Sequence, residues 1–163
     1  MSANLNLHNE DRISVQEADF DVAFEYQRLQ HLSANNGAVV FFVGLVRDFN
    51  ANQLLNGLFL EHYPAMTQIA LADIVRQAKE KWSLGSVTLI HRVGKLAVNE
   101  QIVMVGVTSQ HRQAAFQSAE FMMDYLKVNA PFWKKELSES GDFWIEAKQT
   151  DQQAANRWSP KTS

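Results

Sequence analysis

The sequence predicts an α+β fold, a layered sandwich with mainly antiparallel strands, and three observations carry that expectation. Elements read along the chain in the order α, β, β, α, β, β, α, β. Strands often follow one another directly, whereas parallel neighbours need a long crossover between them. Two long segments also space their apolar residues as helices do, each lying between strand-like runs. The 163 residues fit one domain, taken as 1–163, with flexible ends expected at about 1–12 and 159–163.

Taken in order, "ADFDVAFEYQRLQHL" spaces Phe20, Phe24, Leu29 and Leu32 as an amphipathic helix, and Asn35 to Gly37 is a turn signal. Ala38 to Val46 is β-branched and aromatic, and Gly44 within it fits a bulge or a close backbone approach. The polar "RDFNANQLLNG" reads as a loop and "LFLEHY" as a strand stopped by Pro64. Leu71, Ile74, Val75, Ala78 and Trp82 recur at helical spacing, which predicts a helix over Thr67 to Trp82, closed off by Gly85. "SVTLIHRVG" and "EQIVMVGVTS", joined by the short "KLAVN", predict an antiparallel pair. A second long helix is expected from about His111 to Val128, with Ser109 as N-cap and Asn129 in a left-handed C-terminal position before Ala130 and Pro131. "GDFWIEAK" reads as a last strand.

Composition narrows the function classes. A formal net charge of −3 disfavours a general nucleic-acid binder, which normally presents a basic face to phosphates. The longest apolar runs are too short to span a bilayer and the N-terminus carries no signal pattern, so a cytoplasmic protein is expected. There are no cysteines, which excludes disulfides, thiolate metal sites and a cysteine nucleophile. Any sulfur chemistry here needs sulfur carried by another molecule. No phosphate loop, HExxH, EF-hand or nucleophile elbow is present, no spacing argues for zinc, and His62 and His91 read as structural histidines in strands.

"KVNAPFWKKE", residues 127–136, is the stretch with the most chemistry. Lys127 falls in the last turn of the predicted helix, where a cation complements the negative end of the dipole. That account alone explains a lysine there. Phe132 and Trp133 support a second account, in which the segment is anchored and Lys127 or Lys134 is partly desolvated beside another cation, so that one acts as base or nucleophile and the other binds an anion. Lys135 is expected to face water, and Glu136 either orients a lysine or is a solvated charge. "TSQHRQAAF" puts His111 and Arg112 at a helix start after a strand, a place that favours an anion, although both also suit an ordinary first turn. Arg47 closes the buried strand and is a third cation of this kind, or else a solvated loop arginine.

In series, "GAVVFFVGLVRDFN", "LFLEHYPAMT", "VTLIHRVGKL", "VGVTSQHRQAAF", "FMMDYLKVNAPFWKKE" and "DQQAANRW" resemble the MoaE family, the large catalytic subunits of molybdopterin synthase. The likeness runs from about Gly37 to Trp158. It implies an α/β hammerhead-type fold, a homodimer, and a small ubiquitin-like (MoaD-like) sulfur carrier at each end of that dimer. The implied activity is a sulfurtransferase reaction. The carrier's C-terminal thiocarboxylate threads into a pocket and cyclic pyranopterin monophosphate receives two sulfurs to become the molybdopterin dithiolene, with no bound cofactor or metal. The resemblance assigns catalysis to Lys127 and Lys134. It assigns substrate contacts to Arg47, His111 and Arg112 together with both lysines, Arg112 being supplied by the neighbouring subunit. Glu136 and Lys148 are further candidates, although an arginine would be expected at 148. The competing expectation is a non-catalytic anion-binding module that docks a ubiquitin-like tail. General RNA binding is a third, disfavoured by the charge.

Overall fold

The computed structural model describes residues 10–32, 35–50, 53–145 and 149–160; Lys148 and most of the two expected flexible ends lie outside them. The longest apolar runs of the sequence make the first sheet. Its strands are β1 (Arg12–Gln16), β2 (Ala38–Leu45), β6 (Val87–Arg92) and β8 (Gln101–Ser109), in the spatial order β1-β6-β8-β2. β6 pairs antiparallel with β8, as predicted, and β8 with β2, while β1 joins β6 in parallel. The register of β2 slips between Gly44 and Leu45, the bulge that the glycine suggested. A Cβ at Gly44 would come within 2.7 Å of Val103 Cγ1, so the close approach also holds.

Both faces of this sheet are covered. Helices α2 (Pro64–Lys81) and α3 (Arg112–Asn129) bury Leu71, Ile74, Val75, Phe121, Met122 and Leu126 against Val87, Leu89, Val103, Val105 and Val107. On the other face α1 (Val22–His31) lies behind Phe20, Ile90 and Met104. Asp21 caps α1 by accepting from the Phe24 amide at 3.1 Å, and the Arg12 guanidinium meets the buried Glu25 carboxylate at 2.9 Å, which ties β1 to that helix.

The second sheet is wholly antiparallel. It contains β5 (Gly57–His62), β7 (Gly94–Ala97), β9 (Phe132–Leu137) and β10 (Phe143–Ile145), in the order β10-β9-β5-β7. A short hairpin of β3 (Phe49–Asn50) and β4 (Gln53–Leu54) occupies part of the predicted loop. Val46, Leu58, Leu60, Val93 and Leu96, with Ile102 and Phe132 packed against them, form a smaller core between the sheets. The chain closes with α4 (Gln149–Asn156).

Several local expectations change. Pro64 ends β5 and also opens α2 at its first turn, where its missing N–H costs nothing. Ser109 does not cap α3: it completes β8 opposite Ala38 and its hydroxyl donates to the Ser83 carbonyl at 3.0 Å, leaving His111 as N-cap. Asn129 remains helical and Ala130 turns the chain out at φ −75°, ψ 129°, because Pro131 imposes extended geometry on the residue before it. "KLA" is a strand of the second sheet rather than a simple connection.

Candidate functional site

Where α3 runs out between the two sheets, the chain forms a cleft of about 530 Å³. Lys127, in the last turn of α3, stands on one side with Val128 and Ala130. Pro131 forces the chain straight into β9, and the two-residue period of that strand aims Phe132 and Lys134 at the cleft. Arg47 follows β2 from another side, while Leu60, Ile102 and Ile145 supply apolar lining from β5, β8 and β10. Thr150 and Asp151, in the first turn of α4, complete the rim.

The site therefore holds three cations, Arg47, Lys127 and Lys134, drawn from three separate elements. Arg47 and Lys127 are exposed and Lys134 is half-buried, so the desolvation expected for the lysines falls on Lys134. Three positive side chains around an apolar floor suit an anionic group attached to a flat or flexible organic body. Asp151 is the one carboxylate among the described lining residues.

The floor contains a residue whose sequence context suggests a structural role alone. His91, in β6, is 6% exposed and lines the cleft. Its ring stacks on Phe132 with centroids 4.1 Å apart and planes 24° from parallel. Burial above all holds its pKa down, to about 4; a hydrogen bond with the Arg92 carbonyl at 2.8 Å opposes the shift, and the charges of Lys127 and His62 add to it. His91 is thus a neutral imidazole within the field of Lys127. The available signal was a histidine inside an otherwise apolar run bounded by strand residues. His62 is not among the residues lining the cleft; its ring lies 6.3 Å from that of Phe132 and its Nδ1 3.3 Å from the Thr67 hydroxyl at the start of α2.

Other sequence candidates fall in different places. Glu136 is buried on β9, opposite Leu58 and Phe143, and does not line the cleft. Lys135 points to the other face, 5.0 Å from the Trp144 ring and 5.5 Å from that of Phe59. His111 and Arg112 are exposed at the opposite end of α3. About 22 Å of helix separates Arg112 from Lys127 at the usual rise per residue. One chain brings Arg47, Lys127 and Lys134 together and leaves His111 and Arg112 apart from them. Among the described residues no group of three His, Cys, Asp or Glu side chains could hold a metal ion, and no helix is long and apolar enough to cross a membrane.

The family described as MoaE protein matches residues 15–129, from the end of β1 through α3. The chain belongs to the MoaE family. Among its relatives, the molybdopterin synthase catalytic subunit of Escherichia coli is 52% identical over 149 residues, covering 91% of this chain and 99% of that protein. A MoaE structure from Burkholderia ambifaria superposes with a TM-score of 0.78 at 44% identity, over 91% of this chain and 97% of its own. Molybdopterin synthase from Staphylococcus aureus gives 0.76 at 29% identity, over 85% and 99%. The α+β sandwich with two mostly antiparallel sheets is the fold of these MoaE structures.

Proposed function

We propose that this chain is the catalytic subunit of molybdopterin synthase. In that role it transfers sulfur from the thiocarboxylated C-terminus of a small ubiquitin-like carrier to cyclic pyranopterin monophosphate. The observation that carries the reading is the cleft with Arg47, Lys127 and Lys134 on its walls, in a chain 52% identical to a protein of that name. Both reactants are anions, a phosphate ester and a thiocarboxylate. Cations on separate elements can hold the two at once without repelling either. With no cysteine in the chain, sulfur has to arrive on the carrier, and the cytoplasm is the compartment that fits this composition.

The chemistry assigned to the lysines is electrostatic and protonic. The thiocarboxylate sulfur adds to a carbonyl carbon of the pterin side chain; the C=O π bond opens to an alkoxide that takes up a proton and is later lost as water, and the new carbon–sulfur bond leaves the carrier's acyl group attached through sulfur. Water then adds to that acyl carbon; the acyl–sulfur bond breaks, the carrier departs as a carboxylate, and the sulfur stays on the pterin. Negative charge develops on oxygen in the second step, and Lys127 and Lys134 stabilise it and supply or accept the accompanying proton. The second sulfur comes from a second carrier.

His111 and Arg112 reach a cleft only from a second copy. β2 is the outer strand of the first sheet, with Phe42 and Leu45 exposed on it, and its Ala38 end lies beside Ser109, two residues before His111. Two such edges related by a two-fold axis and running antiparallel would set the Ala38 end of one beside the Arg47 end of the other, which favours a homodimer with shared sites.

The test is a single-turnover assay with this protein, the thiocarboxylated carrier and cyclic pyranopterin monophosphate, reading the dithiolene product as its fluorescent oxidised pterin. Product that requires all three components is the expected result. A stable complex with the carrier and no product would instead favour the docking-module reading. Mixing Arg112→Ala with Lys127→Ala tests the shared site. Random reassociation restores one intact cleft in each mixed dimer, roughly a quarter of all clefts, and no recovery would place Arg112 outside the site.

A further inference from the structure

Among the described residues, His91 has one ring nitrogen with a protein hydrogen-bond partner and one without. The Arg92 carbonyl can only accept, so the 2.8 Å contact places the proton on Nδ1. On a neutral ring this leaves Nε2 as a lone-pair acceptor. Nε2 has no protein partner among the described residues, yet the one side-chain polar atom sealed from solvent without a partner there is Glu25 Oε2. Among the described residues nothing seals Nε2, and the open space that His91 borders is the cleft.

The chemistry of the cleft gives that atom a role. Arg47, Lys127 and Lys134 are donors that attract anionic groups, and Leu60, Ile102, Phe132 and Ile145 offer no hydrogen bonds. A bound reactant that buries an N–H against this floor needs an acceptor. Phe132, stacked on the imidazole, fixes the plane in which Nε2 can provide one. Because burial and the nearby Lys127 keep the ring uncharged, Nε2 stays an acceptor across the neutral pH range; His62 acts in the same sense as Lys127, Arg47 and Lys134 are further cations lining the cleft, and Asp151 is the one carboxylate among its described lining residues.

We propose that His91 Nε2 accepts a hydrogen bond from an N–H group of a bound reactant at the floor of the cleft, making His91 a substrate-binding residue. This rests on the molybdopterin synthase reading. Two reactants carry suitable N–H groups: the pterin ring, and the backbone amides of the carrier's C-terminal tail.

Three substitutions separate this role from a structural one. His91→Asn retains a donor to the Arg92 carbonyl and loses the acceptor at the Nε2 position. His91→Gln places an amide oxygen near that position and gives up the inner hydrogen bond. His91→Phe retains the stack on Phe132 and loses both. In the assembled synthase, KM for one reactant should rise about tenfold or more in the Asn and Phe variants, the worth of one buried hydrogen bond left unmade, and Gln should recover part of the loss. Thermal stability should rank Asn at or above Gln, so the stability and affinity rankings cross.

A rise confined to cyclic pyranopterin monophosphate identifies a pterin N–H; a rise confined to the carrier, matched by its dissociation constant in calorimetry, identifies a tail amide. Unchanged KM values in a folded Asn variant would overturn the proposal, as would a loss of kcat alone. If the Asn variant does not fold, Gln against Phe makes the same comparison. Failure of the synthase reading looks different, because the unmodified chain then gives no product, and calorimetric binding of each reactant still reports on His91.

Discussion

β6 and β9 are both six residues long and both lie inside a four-stranded sheet, yet they treat their side chains in opposite ways. Every residue of β6 is buried, because helices cover one face of its sheet and α1 the other. On β9 only Glu136 is buried; Phe132 and Lys134 turn to the cleft while Trp133 and Lys135 turn outward. The first sheet is closed on both sides and so can do little except hold the molecule together. The second meets an incomplete layer of protein, and the reactive side chains collect where that layer stops. Among the described residues, His91 and Ile102 are where strands of the closed sheet reach the opening, and His91 is the polar one of the two.

The largest expected effect is on chemistry. Lys127→Ala should lower product formation on the order of a thousandfold, while carrier binding and the unfolding midpoint stay near those of the unmodified chain. Lys127 is exposed and packs little apolar surface, so its loss removes charge from the cleft without opening a cavity. Near-normal single-turnover rates would remove it from the reaction. Leu89→Ala should behave in the reverse manner. Leu89 is fully buried in β6, and truncation there costs about 3–4 kcal/mol through lost burial and a cavity. Denaturant unfolding should show the drop, with activity per folded molecule retained; equal losses of stability from both variants would erase the contrast between the sheets.

The same contrast governs what could be read from the sequence. β8 holds a continuous apolar run, IVMVGV, and β6 carries Val87, Leu89 and Ile90 in a β-branched stretch, the pattern of strands buried on both faces, and they were legible along with α2 and α3. β9 was not. In "FWKK" each face receives one aromatic and one lysine, so neither period two nor period 3.6 emerges. The polar "QTDQQAAN" of α4 gave no signal either. Two residues just beyond its C-terminus hold that helix in place: Arg157 pairs with Glu120 at 2.6 Å and Asp124 at 2.7 Å, and Trp158 packs edge-on against Trp82 and Phe121. Arg47, Lys127 and Lys134 were legible as cations next to element ends. Their meeting at one cleft depends on how two sheets cross, and the separation of His111 and Arg112 from them depends on helix length.

His91 offers a measurable link between the two regions, through pH. Its folded pKa of about 4 lies below the ordinary histidine value of about 6.5, so between these values the unfolded chain binds more protons. Stability from the neutral buried ring is fully present above about pH 6.5 and is lost as pH falls towards 4, amounting to about 3 kcal/mol over that window. Unfolding free energies compared at pH 7 and pH 4.5 should fall less for His91→Asn than for the unmodified protein. Parallel losses would mean that the ring is not held neutral by burial.

The smallest effect distinguishes adjacent lysines on one strand. Lys134 and Lys135 are chemically identical and the sequence separates them by nothing but position. The strand period points them to opposite faces, Lys134 to the cleft and Lys135 over Trp144 and Phe59. Lys135→Ala should cost about 0.5–1 kcal/mol of stability, the worth of a cation over exposed rings, and leave turnover unchanged. Lys134→Ala should show the converse, a loss of turnover with little change in stability. The pair is a sensitive check on the register of β9, since a slip of one residue would exchange the two phenotypes and move the reactive amine out of the cleft.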